Sequence, residues 1–115
     1  MHEFSIIQSM IPQIEEFLVQ GNYRSVKRIQ LEVGVMSGVI QDALEFAYDI
    51  CSKGTPIEGA VLSIRMMPVI ASCEKCFVKF EIQDYSYICP QCSGIDLKLL
   101  SGNELTIKEI EVEEA

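Results

Sequence analysis

Between residues 5 and 20, apolar side chains return every three or four positions, at Ile6, Ile7, Met10, Ile14, Phe17 and Leu18. That period predicts an amphipathic helix, which Gly21-Asn22 should end. Pro12 falls inside the pattern. It lacks an N–H and its ring crowds the preceding turn, so a kink is expected over residues 8–12. From residue 25 to 34 the period drops to two. Ile29, Leu31 and Val33 share one face and Arg28, Gln30 and Glu32 the other, which predicts a half-buried strand. Ser37-Gly38 marks a turn. A second helix is expected over residues 42–52, with Leu44, Tyr48 and Cys51 along one stripe, Ala47 beside it, and Gly54 and Pro56 closing it.

Alternation resumes over residues 60–67, where Leu62, Ile64 and Met66 interleave with Ser63, Arg65 and Met67; Pro68 marks the end of this strand or an edge position. The stretch 104–113 also reads as a strand, with a fault. Leu105 and Ile107 share a face, but Ile110 and Val112 fall out of phase, and a one-residue bulge near Glu109 would restore a single apolar face. The order helix, strand, helix, strand, cysteine segment, strand predicts a small α/β (α+β) protein. Its two helices cover one face of a three-stranded sheet, and the last strand joins that sheet after an excursion. The expected division is residues 1–68 plus 101–115 for the α/β domain and 69–100 for an inserted, zinc-ribbon-like four-cysteine domain.

The excursion carries Cys73-Glu-Lys-Cys76 and Cys89-Pro-Gln-Cys92. A two-residue gap lets one short turn aim two sulfurs at the same ion. Two such turns brought together make a tetrahedral four-sulfur set suited to zinc or an iron–sulfur centre. Residues 77–82 and 85–88 are expected to pair as the ribbon that brings the turns together, with Phe77, Phe80, Tyr85 and Tyr87 packing around it. Two disulfides or uncoordinated thiols are the alternative. Four thiolates saturate zinc and leave no position for water, so such a site is structural and not that of an enzyme. The fifth cysteine, Cys51, is expected to be a buried thiol on the second helix.

Charge narrows the partners. Nine Lys and Arg against seventeen Asp and Glu leave a formal charge of -8. No nucleic acid is expected, because phosphate contacts need clustered basic residues; a partner surface offering Arg and Lys suits better. No apolar run approaches the length of a membrane span, so no membrane association is expected, and the first residues lack the basic start of a secretory signal. A cytoplasmic location is therefore expected.

The single histidine is His2. Once amide protons are displaced, its imidazole, the α-amine of Met1 and the backbone nitrogens of His2 and Glu3 can lie in one plane around an ion, a donor set that favours nickel(II) or copper(II) over zinc. The Glu3 carboxylate can add a ligand or offset positive charge. The bland alternative is a frayed chain end.

Over nearly its whole length the chain resembles the HypA/HybF family of hydrogenase nickel-incorporation proteins. The resemblance rests on Met1-His2-Glu3-Phe4-Ser5 with Gln8-Ser9, residues 26–34, Ser37-Gly38-Val39, residues 43–47, the two cysteine pairs, Gly102-Asn-Glu-Leu105 and residues 110–113. Each piece is short, but their order and spacing are specific. The resemblance implies a nickel metallochaperone that binds Ni(II) through Met1, His2 and Glu3 and holds Zn(II) on Cys73, Cys76, Cys89 and Cys92. It implies partners in a nickel-binding GTPase and the hydrogenase large-subunit precursor, with urease maturation factors as further partners. A zinc-ribbon adaptor that bridges partners without carrying nickel is the competing reading. The chain departs from the family in two places. Phe77 and Ser93-Gly94 stand where many relatives have glycine directly after each pair, and Pro12 sits inside the first helix.

Overall fold

The structure, a computed structural model, describes residues 3–114. Helix α1 spans Glu3–Gly21 and buries Ile6, Ile7, Met10, Ile14 and Leu18, the stripe its periodicity sets. It runs on through Pro12, and the Gln13 side-chain amide donates to the Ser9 carbonyl within the same stretch (3.1 Å). Phe17, on the flank of the stripe, stays substantially exposed and stacks on Tyr23 at 5.2 Å between ring centres. Gly21 ends the helix because the Tyr23 ring occupies the space a Cβ would need. Asn22 then takes a left-handed conformation (φ 54°) and the chain reverses directly into β1, Tyr23–Gly34.

After a 3-10 turn at Val35–Ser37 come helix α2, Gln41–Cys51, and strand β2, Val61–Met67. β1 and β2 pair in parallel, from Arg28↔Val61 to Gly34↔Met67, so α2 is the crossover between them. The loop after α2 is tied back by Tyr48. Its hydroxyl donates to the carbonyls of Ala60 (2.8 Å) and Ile57 (3.1 Å), and burial, with Asp49 nearby, pushes its pKa up to about 12. Cys51 is only half-buried, at the rim of the core rather than inside it, because it closes the last turn of α2.

β3 (Ile70–Cys73), β4 (Lys79–Glu81) and β5 (Leu97–Ser101) follow, and then β6, Leu105–Glu114. They divide into two sheets, ordered β2-β1-β6 and β4-β3-β5. β6 lies antiparallel to β1 with a register shift between Gln30↔Glu109 and Leu31↔Ile107, which leaves Lys108 as the extra residue. This is the expected bulge, and it puts Leu105, Ile107, Ile110 and Val112 together against the core.

The main core lies between α1, α2 and one face of the β2-β1-β6 sheet. Ile7, Ile14, Ile29, Leu31, Val33, Leu44 and Ile57 are fully buried, each contributing about 1.5–3 kcal/mol over exposure. The second sheet has a far smaller cluster: Val69, Ala71 and Ile82, with Phe80 and Leu97 half-buried against them. Among the described residues, no helix is long and apolar enough to cross a membrane.

The expected ribbon of residues 77–82 with 85–88 is not formed. Each cysteine pair is itself the reversal, so β4 folds back beside β3 (Ile70↔Glu81, Ser72↔Lys79) and the second pair leads into β5, also antiparallel to β3. Residues 83–88 are left as a loop whose turn places Asp84 and Tyr85 at positive φ. Phe77 and Tyr85, expected to pack, are 76% and 82% exposed; Phe80 alone of the four packs against the small core.

Where the chain leaves and re-enters the first sheet, two glycines meet. A Cβ on Gly34 would collide with the backbone of Gly102, and one on Gly102 (φ 113°) would lie 2.8 Å from the Val69 Cα. The approach lets Gly34 N–H donate to the Glu104 carbonyl and Met36 N–H to the Gly102 carbonyl, both at 2.7 Å. Gly34→Ala should therefore lower stability by about 3 kcal/mol through overpacking against fixed backbone. Urea unfolding of the zinc-loaded chain measures this, and a variant within about 0.5 kcal/mol of the parent would show that the backbones have room to part.

Candidate metal centre

Cys73 ends β3, Cys76 follows in the turn, and Cys89 and Cys92 lie in the loop ahead of β5. Their four Sγ atoms fall within 4.8 Å of one another, and among the described residues they are the only such group of His, Cys, Asp or Glu. Cys73 and Cys89 are buried, Cys76 is half-buried and Cys92 is exposed. No two are bonded: Cys73 Sγ is 3.6 Å from Cys92 Sγ and Cys76 Sγ is 3.5 Å from Cys89 Sγ. Zinc–thiolate bonds of about 2.3 Å in a tetrahedron put sulfurs about 3.8 Å apart. The spacing fits a structural zinc and is far from the roughly 2.05 Å of a disulfide.

The two turns repeat one another. Cys73 N–H donates to the Val78 carbonyl and Cys89 N–H to the Gly94 carbonyl; Phe77 N–H returns to the Cys73 carbonyl and Ser93 N–H to the Cys89 carbonyl. Backbone amides also point at the sulfurs with the same offsets. The amides of Cys76 and Lys75 reach Cys73, and those of Cys92 and Gln91 reach Cys89; Val78 serves Cys76, and Gly94 serves Cys92. These donors stabilise negative sulfur, as a thiolate bound to a metal requires.

Without an ion the set does not titrate evenly. The amides of Cys76 and Lys75 hold Cys73 down to about 6, and the Cys92 amide leads in lowering Cys89. For Cys76 the Val78 amide acts downward, but lost hydration and the neighbouring sulfurs outweigh it and push the thiol up to about 12. Cys92 is likewise raised: the Gly94 amide lowers it, but Cys73 and Cys89 oppose more strongly. In each pair the first thiol is thus shifted toward the thiolate and the second toward the protonated form.

Both turns need a left-handed residue after the second cysteine: Phe77 has φ 63° and Ser93 φ 61°. These are the positions where the chain carries a side chain in place of glycine. The strain is borne because Phe77 and Ser93 each supply an N–H that closes the turn.

Of the expected site residues, the four cysteines are thus brought together. Glu3 is half-buried in the first turn of α1. Met1 and His2 lie outside the described residues. The sequence reading missed the amide donors and the strands β3 and β5, although the apolar run at Val69-Ile-Ala and the alternation of Leu97 and Leu99 carry a weak strand signal.

Comparison with known proteins agrees with this arrangement. The family model described as "Hydrogenase/urease nickel incorporation, metallochaperone, hypA" matches residues 1–112. A relative from Nostoc sp., named hydrogenase maturation factor HypA, is 45% identical over 114 residues, covering 99% of this chain and 97% of its own. A protein of the same name from Geobacter metallireducens is 39% identical over 113 residues, covering 98% of this chain and all of its own. The solution structure of the Ni metallochaperone HypA from Helicobacter pylori aligns over the full length of both chains with a TM-score of 0.72 at 21% identity, a likeness of fold.

Two measurements check the geometry. Phe77→Gly should raise the thermal stability of the zinc-loaded chain by about 1 kcal/mol, since it relieves a left-handed side chain on an exposed residue; a loss of stability would mean that the Phe77 side chain packs. Zinc loading at neutral pH should release protons, because all four sulfurs bind as thiolates while Cys76 and Cys92 are raised as free thiols. Calorimetry in buffers of differing ionisation enthalpy reads the release, and a release near zero would contradict ligation by thiolates formed on binding.

Proposed function

The chain belongs to the HypA family, and from that premise we propose that it is a nickel metallochaperone of hydrogenase maturation, carrying Ni(II) on Met1, His2 and Glu3 and built around Zn(II) on Cys73, Cys76, Cys89 and Cys92. One observation supports the assignment above the others. The described residues offer a single metal-binding group, and it is a closed set of four sulfurs. A cargo ion then needs donors elsewhere, and the only imidazole in the chain is His2. The Met1 α-amine and the first backbone nitrogens complete a planar set that suits nickel. Such a site needs no catalytic step, and the protein acts as a carrier rather than an enzyme.

The start of α1 supports this reading. Glu3 opens α1, and Phe4 beside it packs against the core and meets Phe46 edge to face at 6.4 Å. The helix is therefore anchored within one turn of the proposed ligands. Transfer is ligand exchange: donors of the recipient replace the nitrogens one at a time, each released amide nitrogen regains the proton it lost on binding, and no covalent bond of the backbone breaks. The nickel-binding GTPase and the hydrogenase large-subunit precursor are the proposed recipients, with urease maturation factors as further partners. We assign residues 1–68 plus 101–115 to the nickel-carrying domain and 69–100 to the zinc domain, and place the protein in the cytoplasm.

His2 must lose its proton to bind nickel. With a reference pKa of about 6.5, protonation competes below neutral pH, so affinity should fall as pH drops. His2→Ala should abolish stoichiometric nickel binding while leaving zinc content and circular dichroism unchanged. In the parent chain, affinity should fall at least about tenfold between pH 7.5 and 5.5. Full nickel binding by the variant, or equal affinity at the two pH values, would reject the site and leave the adaptor reading.

A further inference from the structure

We propose that the groove between the first half of α1 and the outer edge of β6 receives an extended segment of a partner protein, apolar at alternate positions with Lys or Arg between them, which adds as a strand to β6. This goes beyond the metal reading and does not rest on it.

The groove has a volume of about 410 Å³. Ile6, Ser9, Met10 and Gln13 form one wall at helical spacing, and Leu105 and Ile107 line the other. β6 is an end strand of its sheet, paired only with β1. The Gly34 N–H bond to the Glu104 carbonyl sets the phase of that ladder. Backbone groups alternate in direction along an antiparallel strand, so Thr106 faces Glu32 on β1 while Leu105 and Ile107 turn their N–H and C=O to the open edge. The same two residues keep their side chains half-buried beside α1. Unpaired backbone beside an apolar trench is the arrangement by which an added strand is held: main-chain bonds give affinity, and alternate side chains enter the trench. The bulge at Lys108 centres the addition on the 105–107 end, and Glu109 and Glu111 follow directly beyond it.

Charge chooses the occupant. α1 carries Glu3, Glu15 and Glu16 and neither Lys nor Arg, and β6 carries Glu109, Glu111, Glu113 and Glu114 against Lys108 alone. These two elements hold six of the eight net negative charges of the chain. A second copy pairing β6 to β6 would oppose carboxylates, a common protection of edge strands. A basic segment meets the opposite situation.

The test uses the full zinc-loaded chain, isotope-labelled for nuclear magnetic resonance at low ionic strength, with two synthetic ten-residue peptides as probes. One alternates valine with lysine and the other valine with glutamate. The lysine peptide should shift amides within residues 6–13 and 104–109 and slow hydrogen exchange at Leu105 and Ile107; the glutamate peptide should do neither. Gln13→Trp, which fills the groove from an exposed position, should weaken binding at least about tenfold, as should Glu109→Lys with Glu111→Lys. Equal response to both peptides, shifts confined to other surfaces, unchanged exchange at Leu105 and Ile107, or self-association through β6 without peptide would overturn the proposal. The exchange measurement decides the matter even if a variant fails to fold.

Discussion

The antiparallel pairing of β6 with β1 is the constraint on which the molecule depends. β1 lies at the centre of the main sheet, and its second neighbour comes from the far end of the chain. Everything between β2 and β6 must therefore leave the sheet at one edge and return at the opposite edge, which is a loop whose closure opposes folding. The second sheet shortens that loop by pairing its own first and last strands, with Ile70 set against Ser101. The Ser101 hydroxyl on the Pro68 carbonyl and the contact of Gly102 with Val69 hold the two crossings side by side.

This arrangement gives the metal centre a definite task. Three buried side chains cannot stabilise β4-β3-β5 against its conformational entropy, and the four sulfurs fix the two turns from which β4 and β5 issue. A structural ion there would act on the main sheet as well, because an ordered second sheet delivers β6 at the right place. The proposed cargo site is independent of it in chemistry. Nitrogen donors at the chain end and sulfur donors within the insertion prefer different ions, so the carrier can release one metal without surrendering the other.

The elements whose periodicity spans a large core were legible in the sequence: α1, α2, β1 and β2 fall within two residues of their expected limits. So was the bulge in β6, because the phase slip between Ile107 and Ile110 has no other remedy within a strand. The interior of the insertion was not legible. Its strands span three to five residues and bury little, so periodicity carries almost no signal there. Aromatic residues misled, because Phe77 and Tyr85 occupy left-handed turn positions that point them outward. The cysteine spacing identified the site. The amides that aim at the sulfurs belong to the backbone, and no residue type announces them.

A zinc-loaded chain beginning at Met1, titrated with nickel and followed by absorption together with metal analysis, tests the central claim most directly. The account predicts one nickel per chain in a planar nitrogen environment with all zinc retained, and loss of that nickel when the α-amine is acetylated. Nickel that enters by expelling zinc from the cysteines, or that binds the acetylated chain equally well, would contradict it.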